Sequence, residues 1–339
     1  MNLTSRRLGV LGHLAVGLWI VGAAAALVWI LQEREEARTI TYGVSFSVPY
    51  AEEIGIDWKA AYRAMLDDLG VRHVRLSAYW NTIEPQRDRY DWSDLDYQIR
   101  EAAARDADII LAVGRRLPRW PECHAPAWAQ EMEWEAQKDE ILEYMTDVIE
   151  RYRNEPAIVY WQVENEPFLK VFGREACGKL DEVFLREQIA LVRALDSRPV
   201  LLTDGGNFGL WMGAYRFGDA FGTSMYLYFW RPDIGAFRTI LPPAYYRIKA
   251  NLMEMAFGVK PVILTELSLE PWLAAHINDV PLQEQIARMS IAHVEEIIAY
   301  ARASTFDRQY LWGIEWWYYM RERGQTEYWE LVRPLFVAQ

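Results

Sequence analysis

The feature that most constrains this chain is an eightfold alternation. Short apolar runs occupy residues 40–46, 71–77, 107–114, 157–164, 199–203, 220–226, 261–266 and 309–316. They are rich in Val, Ile, Leu and aromatics, as strands covered on both faces are. Helical patterns lie between them, at 58–69, 94–105, 137–153, 181–195, 242–257 and 281–302. Gly70 and Gly258 stand where a helix would end, and Pro242 and Pro243 where one would begin. Residues 208–217 carry the least regular of the helical patterns. Strands alternating with helices predict a parallel α/β protein. Eight units in about 300 residues fit a closed (β/α)8 TIM barrel better than an open sheet.

Other classes lack their signatures. No G-x-G-x-x-G follows an early strand, and there is no phosphate loop, H-E-x-x-H or G-x-S-x-G. With 36 basic and 48 acidic residues the net charge is −12, which argues against a nucleic-acid partner. Two cysteines and five scattered histidines call for no metal site, and nothing implies an organic cofactor. The 16 tryptophans exceed what a core needs, and their flat faces suit sugar rings. Nothing specifies an oligomeric state.

Residues 8–31 carry no charge. As a helix they would span about 36 Å, enough for a hydrocarbon core of about 30 Å. Arg6 and Arg7 precede the segment; Glu33, Glu35 and Glu36 follow it. The positive-inside rule then predicts a cytoplasmic stub at 1–7, a transmembrane signal anchor in the lipid bilayer at 8–31, a linker at 32–38 and an extracytoplasmic barrel at 39–339. Small residues at 23–26 leave cleavage as the alternative, although the apolar run continues past them. Cys123 and Cys177 follow the third and fourth strands, whose loops are neighbours. Outside the cytoplasm they are expected to form a disulfide, with two buried thiols as the alternative.

Chemistry in such a barrel sits at the C-terminal ends of the strands. The fourth run ends Gln162-Val163-Glu164-Asn165-Glu166-Pro167 and the seventh ends Leu264-Thr265-Glu266. These strands lie on opposite sides of the barrel, so their carboxyls can face each other across the cavity. Glycosidic cleavage needs such a pair, one to protonate the departing oxygen and one to attack carbon or activate water.

At this point the sequence resembles glycoside hydrolase clan A. Asn165-Glu166-Pro167 is similar to the clan's acid/base signature, and Glu266 to its strand-seven nucleophile. Arg75 in Val74-Arg75-Leu76 resembles the arginine that contacts the nucleophile. Trp80 to Pro85, then Tyr90-Asp91-Trp92 and Leu95-Asp96, resemble a further clan segment. Asp219, Gly222, Ser224 and Tyr226 resemble the strand-six segment, with Ser224 where Asn is frequent. Residues 312–317 resemble the aromatic end of strand eight. The motifs belong to the clan as a whole, so no family within it and no particular sugar is implied.

The resemblance implies a retaining β-glycosidase acting on a carbohydrate. Glu166 would be the general acid/base, with a raised pKa, and Glu266 an ionised nucleophile supported by Arg75 and Tyr226. Asn165 would bind the sugar 2-hydroxyl, and Trp80 and Trp316 are candidate substrate contacts, Trp316 as the stacking platform. Glu270 competes with Glu266, and Tyr228 with Tyr226. Glu164 is an extra acid two residues before Glu166. A transglycosylase on the same scaffold, or a non-catalytic carbohydrate-binding barrel, are the alternatives.

Overall fold

The structure is a computed structural model that describes residues 16–25, 27–28, 39–170, 177–178, 180–231, 234–273 and 275–337. Among the described residues, eight parallel strands close into a barrel. They are β1 (Thr41–Ser45), β2 (His73–Ser77), β3 (Asp108–Val113), β4 (Ile158–Val163), β5 (Val200–Asp204), β6 (Ala220–Met225), β9 (Val262–Ser268) and β10 (Arg308–Trp312). A short antiparallel hairpin, β7 (Tyr228–Arg231) with β8 (Gly235–Arg238), is inserted after β6. Each of the eight apolar runs therefore overlaps a barrel strand. The barrel closes where β1 pairs with β10 and with β2.

Alternation along each strand separates two cores. Ile109 and Leu111 point out to the helices, while Ile110 joins Leu201, Ala220, Ile263 and Tyr310 in a separate buried cluster. This cluster plugs the barrel interior, and the tyrosine ring fits because Gly43 opposite it has no Cβ to collide with. Arg75, between the outward Val74 and Leu76, therefore points inward.

Two elements depart from expectation. The eighth strand stops at Trp312; Gly313 turns the chain at φ 125°, and Ile314–Glu322 is a helix. The 281–302 pattern is two helices, Leu282–Arg288 and Ile291–Arg302. Ser290 and His293 form a reciprocal capping box that starts the second one.

Cys123 and Cys177 are joined, with Cα atoms 5.3 Å apart. The bridge ties the loop after β3 to the segment after β4. Of residues 8–31, only 16–25, 27 and 28 are described; they are helical and exposed. Among the described residues no helix is long and apolar enough to cross a membrane. The rest of the expected anchor, with the stub and the linker, lies outside the described residues.

Candidate active site

At the C-terminal end of the barrel lies a cavity of about 680 Å³ that Asn165, Glu166, Tyr226 and Glu266 all line. Glu266 reaches it through an irregularity in β9. Thr223 of β6 pairs with Leu264, but the next residue, Ser224, pairs with Glu266. On the other edge Gln309 pairs with Leu264 and Leu311 with Leu267. Thr265 is thus an extra residue. Leu264 and Leu267 both face the outer core, and Glu266 between them is turned inward by the bulge.

Both oxygens of Glu266 are held. Arg75 Nη1 donates to Oε1 at 2.8 Å, and the Tyr226 hydroxyl donates to Oε2 at 3.1 Å. Arg75 has 1% exposure and extends its fork further. Nε donates to Gln162 Oε1 and Nη2 to Asn165 Oδ1, each at 2.8 Å. One buried cation therefore aligns residues of β4, β9 and the turn after β4. Tyr228, the rival of Tyr226, bonds Glu296 instead.

Glu166 follows β4 on a tight turn in which Glu164 and Glu166 have φ of 56° and 45°. Glu164 is swung toward the loop after β3, where its carboxylate accepts the backbone N–H groups of Arg115 and Arg116. Gly114 has no side chain where that carboxylate passes; a Cβ there would lie 2.5 Å from Glu164 Oε1. Glu164 is thereby engaged in holding a loop, and Glu166 enters the cavity. The Glu166 N–H donates to Thr203 Oγ1 at 2.8 Å. Burial raises the Glu166 pKa well above the carboxylate range, and the charges of Glu266 and Glu122 raise it further. A hydrogen bond with Ser224 works in the opposite direction. Glu166 is thus biased toward its proton-bearing form.

The structure corrects two of the expected substrate contacts. Trp80 is completely buried, its Nε1–H donating to Glu84 at 2.7 Å while its ring packs on Tyr144. Trp316 is also completely buried, on the helix after β10, with its Nε1–H on Gln285 at 3.0 Å. Both indoles fill the outer core with satisfied donors, so neither face is open to a sugar. Besides Tyr226 and the His124 imidazole, the aromatic rings that line the cavity are Tyr50, Trp120, Phe208, Phe229, Trp272 and Trp312.

Sequence reasoning also missed a buried network. Arg119 lies between two carboxylates, donating to Glu270 Oε2 at 3.2 Å and to Glu315 Oε2 at 2.9 Å. Its guanidinium sits 3.7 Å from the Tyr50 ring centre and 4.1 Å from that of Trp312. Trp312 Nε1 donates to Glu270 at 2.8 Å. Glu270, the rival nucleophile, is therefore committed to Arg119 and Trp312. Burial pushes the Glu315 carboxyl up to about 7, against the pull of Arg119. The signal for Trp312 was in the sequence, as the last residue of the eighth strand. Nothing local marked Arg119.

The sequence model of the family described as Cellulase (glycosyl hydrolase family 5) matches residues 36–220, more than half of the chain. Beta-galactosidase Bga of Halorubrum lacusprofundi is 25% identical over 128 residues, 32% of this chain and 18% of that relative. The chain thus spans under a fifth of the length of that curated relative. Among solved structures, a polyextremophilic beta-galactosidase from H. lacusprofundi superposes with a TM-score of 0.51 at 15% identity, covering 80% of this chain and 52% of that one. GH5_18 from Bifidobacterium longum subsp. longum gives 0.55 at 15% identity, with 80% and 69% covered. At these identities the superpositions speak for the shared barrel. The match over residues 36–220 carries the assignment further: this chain belongs to the Cellulase family, glycosyl hydrolase family 5.

Proposed function

We propose that the chain is a retaining β-glycosidase that works by double displacement on a carbohydrate substrate. The observation that carries this is the unequal pair. Glu266 accepts a hydrogen bond on each oxygen, one from a guanidinium and one from a phenol. Glu166, buried in the same cavity, is driven toward its protonated form. In the first step Glu266 attacks the anomeric carbon, the glycosidic C–O bond breaks, and the Glu166 proton goes to the departing oxygen. In the second, water gives its proton to Glu166 and displaces Glu266 from the sugar. Asn165, whose Oδ1 accepts from Arg75, lines the same cavity and would bind the sugar 2-hydroxyl. Retention of both carboxyls and their supports favours activity over a binding-only barrel. No residue in this scheme requires a metal or cofactor.

The reading extends to location. The uncharged run at 8–31 and the arginines before it support a single anchor with the barrel outside the cytoplasm. The Cys123–Cys177 bridge fits an oxidising compartment.

The test is a pair of variants assayed with activated aryl β-glycosides. Glu266→Ala should abolish turnover and form no covalent adduct. Glu166→Ala should accumulate a glycosyl-enzyme visible as a mass increase of one sugar, and azide should restore its breakdown with retention of configuration. An inverted product would overturn the mechanism.

A further inference from the structure

Glu166 sits on a turn that its side chain does not favour. Glu164 and Glu166 both take left-handed backbone, with φ of 56° and 45°, and neither is glycine. Such conformations persist only where the surroundings hold them. The chemistry asks still more of this turn. The Glu166 carboxyl must lie within hydrogen-bond reach of the glycosidic oxygen to give its proton, and of water to take one back.

One residue of the loop after β3 engages this turn on both sides of Glu166. The Arg116 N–H donates to the Glu164 carboxylate, and the Arg116 carbonyl accepts from the Asn165 N–H at 2.5 Å. Beyond the acid, Arg116 Nη1 donates to the Leu169 carbonyl at 3.3 Å. The Leu169 N–H in turn donates to the Glu166 carbonyl at 2.9 Å. The rest of the guanidinium closes on Glu122 Oε2, with Nε at 2.8 Å and Nη2 at 2.7 Å. Arg116 is buried, and Glu122 supplies its counter-charge. Glu122, Asn165, Glu166 and Leu169 line the cavity, whereas Arg116 is not among the residues that do.

The loop that presents Arg116 is itself fixed. Arg116 pairs with Cys123 in an antiparallel bridge, the Leu117 N–H donates to the Glu122 carbonyl at 2.8 Å, and Cys123 is bonded to Cys177. The neighbouring Arg115 has a different task. Its side chain turns to Gln137 and to the Cys177 carbonyl, each at 2.7 Å.

We propose that Arg116, with Glu122 as its counter-ion, is a positioning residue for the acid/base, a role that rests on the glycosidase reading above. It holds the 164–169 turn so that the Glu166 carboxyl stays aligned with the glycosidic oxygen, and it touches no substrate itself. In Arg116→Ala the backbone bonds to Glu164 and Asn165 remain, but Leu169 loses its tie and Glu122 its counter-charge. A shift of about 1 Å at a reacting group can cost about a hundredfold in rate. The loss should fall on proton transfer and not on the attack by Glu266, which Arg75 and Tyr226 hold separately.

That separation supplies the test. The full chain is assayed with the dinitrophenyl and the phenyl β-glycoside of glucose, galactose and mannose, and the variants are compared in the series that the wild type turns over fastest. Dinitrophenolate departs with little help from an acid, whereas phenolate needs the proton. In Arg116→Ala, kcat/KM for the phenyl glycoside should fall about tenfold to a hundredfold, and for the dinitrophenyl glycoside about threefold at most. Arg116→Lys keeps a charge opposite Glu122 but loses the fork, and should show the same imbalance in smaller measure. Both glycosides are measured on one preparation, so a smaller folded fraction cancels from their ratio. If Arg116→Ala yields no folded protein, the ratio in Arg116→Lys decides. Equal losses on the two glycosides, or a wild-type ratio in the folded variants, overturns the proposal. A wild-type chain that turns over no glycoside in any series would instead defeat the glycosidase reading, and the proposal with it.

Discussion

Arg75 and Glu266 stand 191 positions apart in the chain and meet at 2.8 Å inside the barrel. The side chains are 1% and 6% exposed, so neither charge is otherwise solvated. Removing one member leaves the other buried and unpaired, which typically costs about 3–5 kcal/mol. Arg75→Ala should therefore lower the unfolding midpoint and reduce kcat/KM by about two to three orders of magnitude. Arg75→Lys restores the charge but not the fork that also holds Gln162 and Asn165, and should recover only part of the loss. Wild-type kcat/KM in Arg75→Ala would show that the ion pair has no part in the chemistry.

Proton balance at the site predicts an unusual basic limb. The acid/base must start protonated, so kcat/KM falls as pH rises through the pKa of Glu166. Burial and two neighbouring carboxylates raise that pKa, so the limb should lie well above the ordinary carboxylate range. Glu122 is one of those neighbours. Glu122→Gln removes a negative charge, makes Glu166 easier to ionise and should move the limb to lower pH. A pH–rate profile that stays in place in Glu122→Gln would contradict the assignment.

Glu315 predicts a pH dependence of stability. Its carboxyl is raised from 4.5 to about 7 by complete burial. The folded state thus holds this proton more tightly than the unfolded chain. The stabilisation is fully present below about pH 4.5 and is lost as pH rises through about 7. Glu315→Gln keeps an acceptor for the Ser47 N–H, which Glu315 now bonds, and removes the titration. Denaturant midpoints between pH 5 and 8 should slope downward less in the variant than in the wild type; parallel slopes would refute this origin.

The disulfide closes a long loop. With its cysteines 54 positions apart, chain-entropy arguments give a stabilisation of up to about 4 kcal/mol. Replacing both cysteines with serine should lower the unfolding midpoint by several degrees while leaving far-UV circular dichroism unchanged, because the bridge joins loops and not strands. A midpoint shift under one degree would show that the link adds nothing to the folded state.

The sequence by itself determined the architecture and singled out the proposed reacting pair. Strand and helix differ in the period at which apolar residues recur, so eight buried runs alternating with amphipathic segments are legible without coordinates. Glu166 and Glu266 stand out because chemistry collects at strand ends, and Cys123 and Cys177 pair because consecutive parallel strands bring their loops together. Tertiary structure decided where each side chain points. A bulge at Thr265 turns Glu266 into the cavity, and left-handed backbone at Glu164 and Glu166 sends one acid to a loop and the other to the site. It placed Trp316 on a helix in the outer core and left the Trp312 ring beside Arg119. It also made a single cation serve Glu270 and Glu315, drawn from segments far apart in sequence. The physical reason is that periodicity records which face of an element is buried. Register shifts and contacts between distant loops arise only once the barrel has closed.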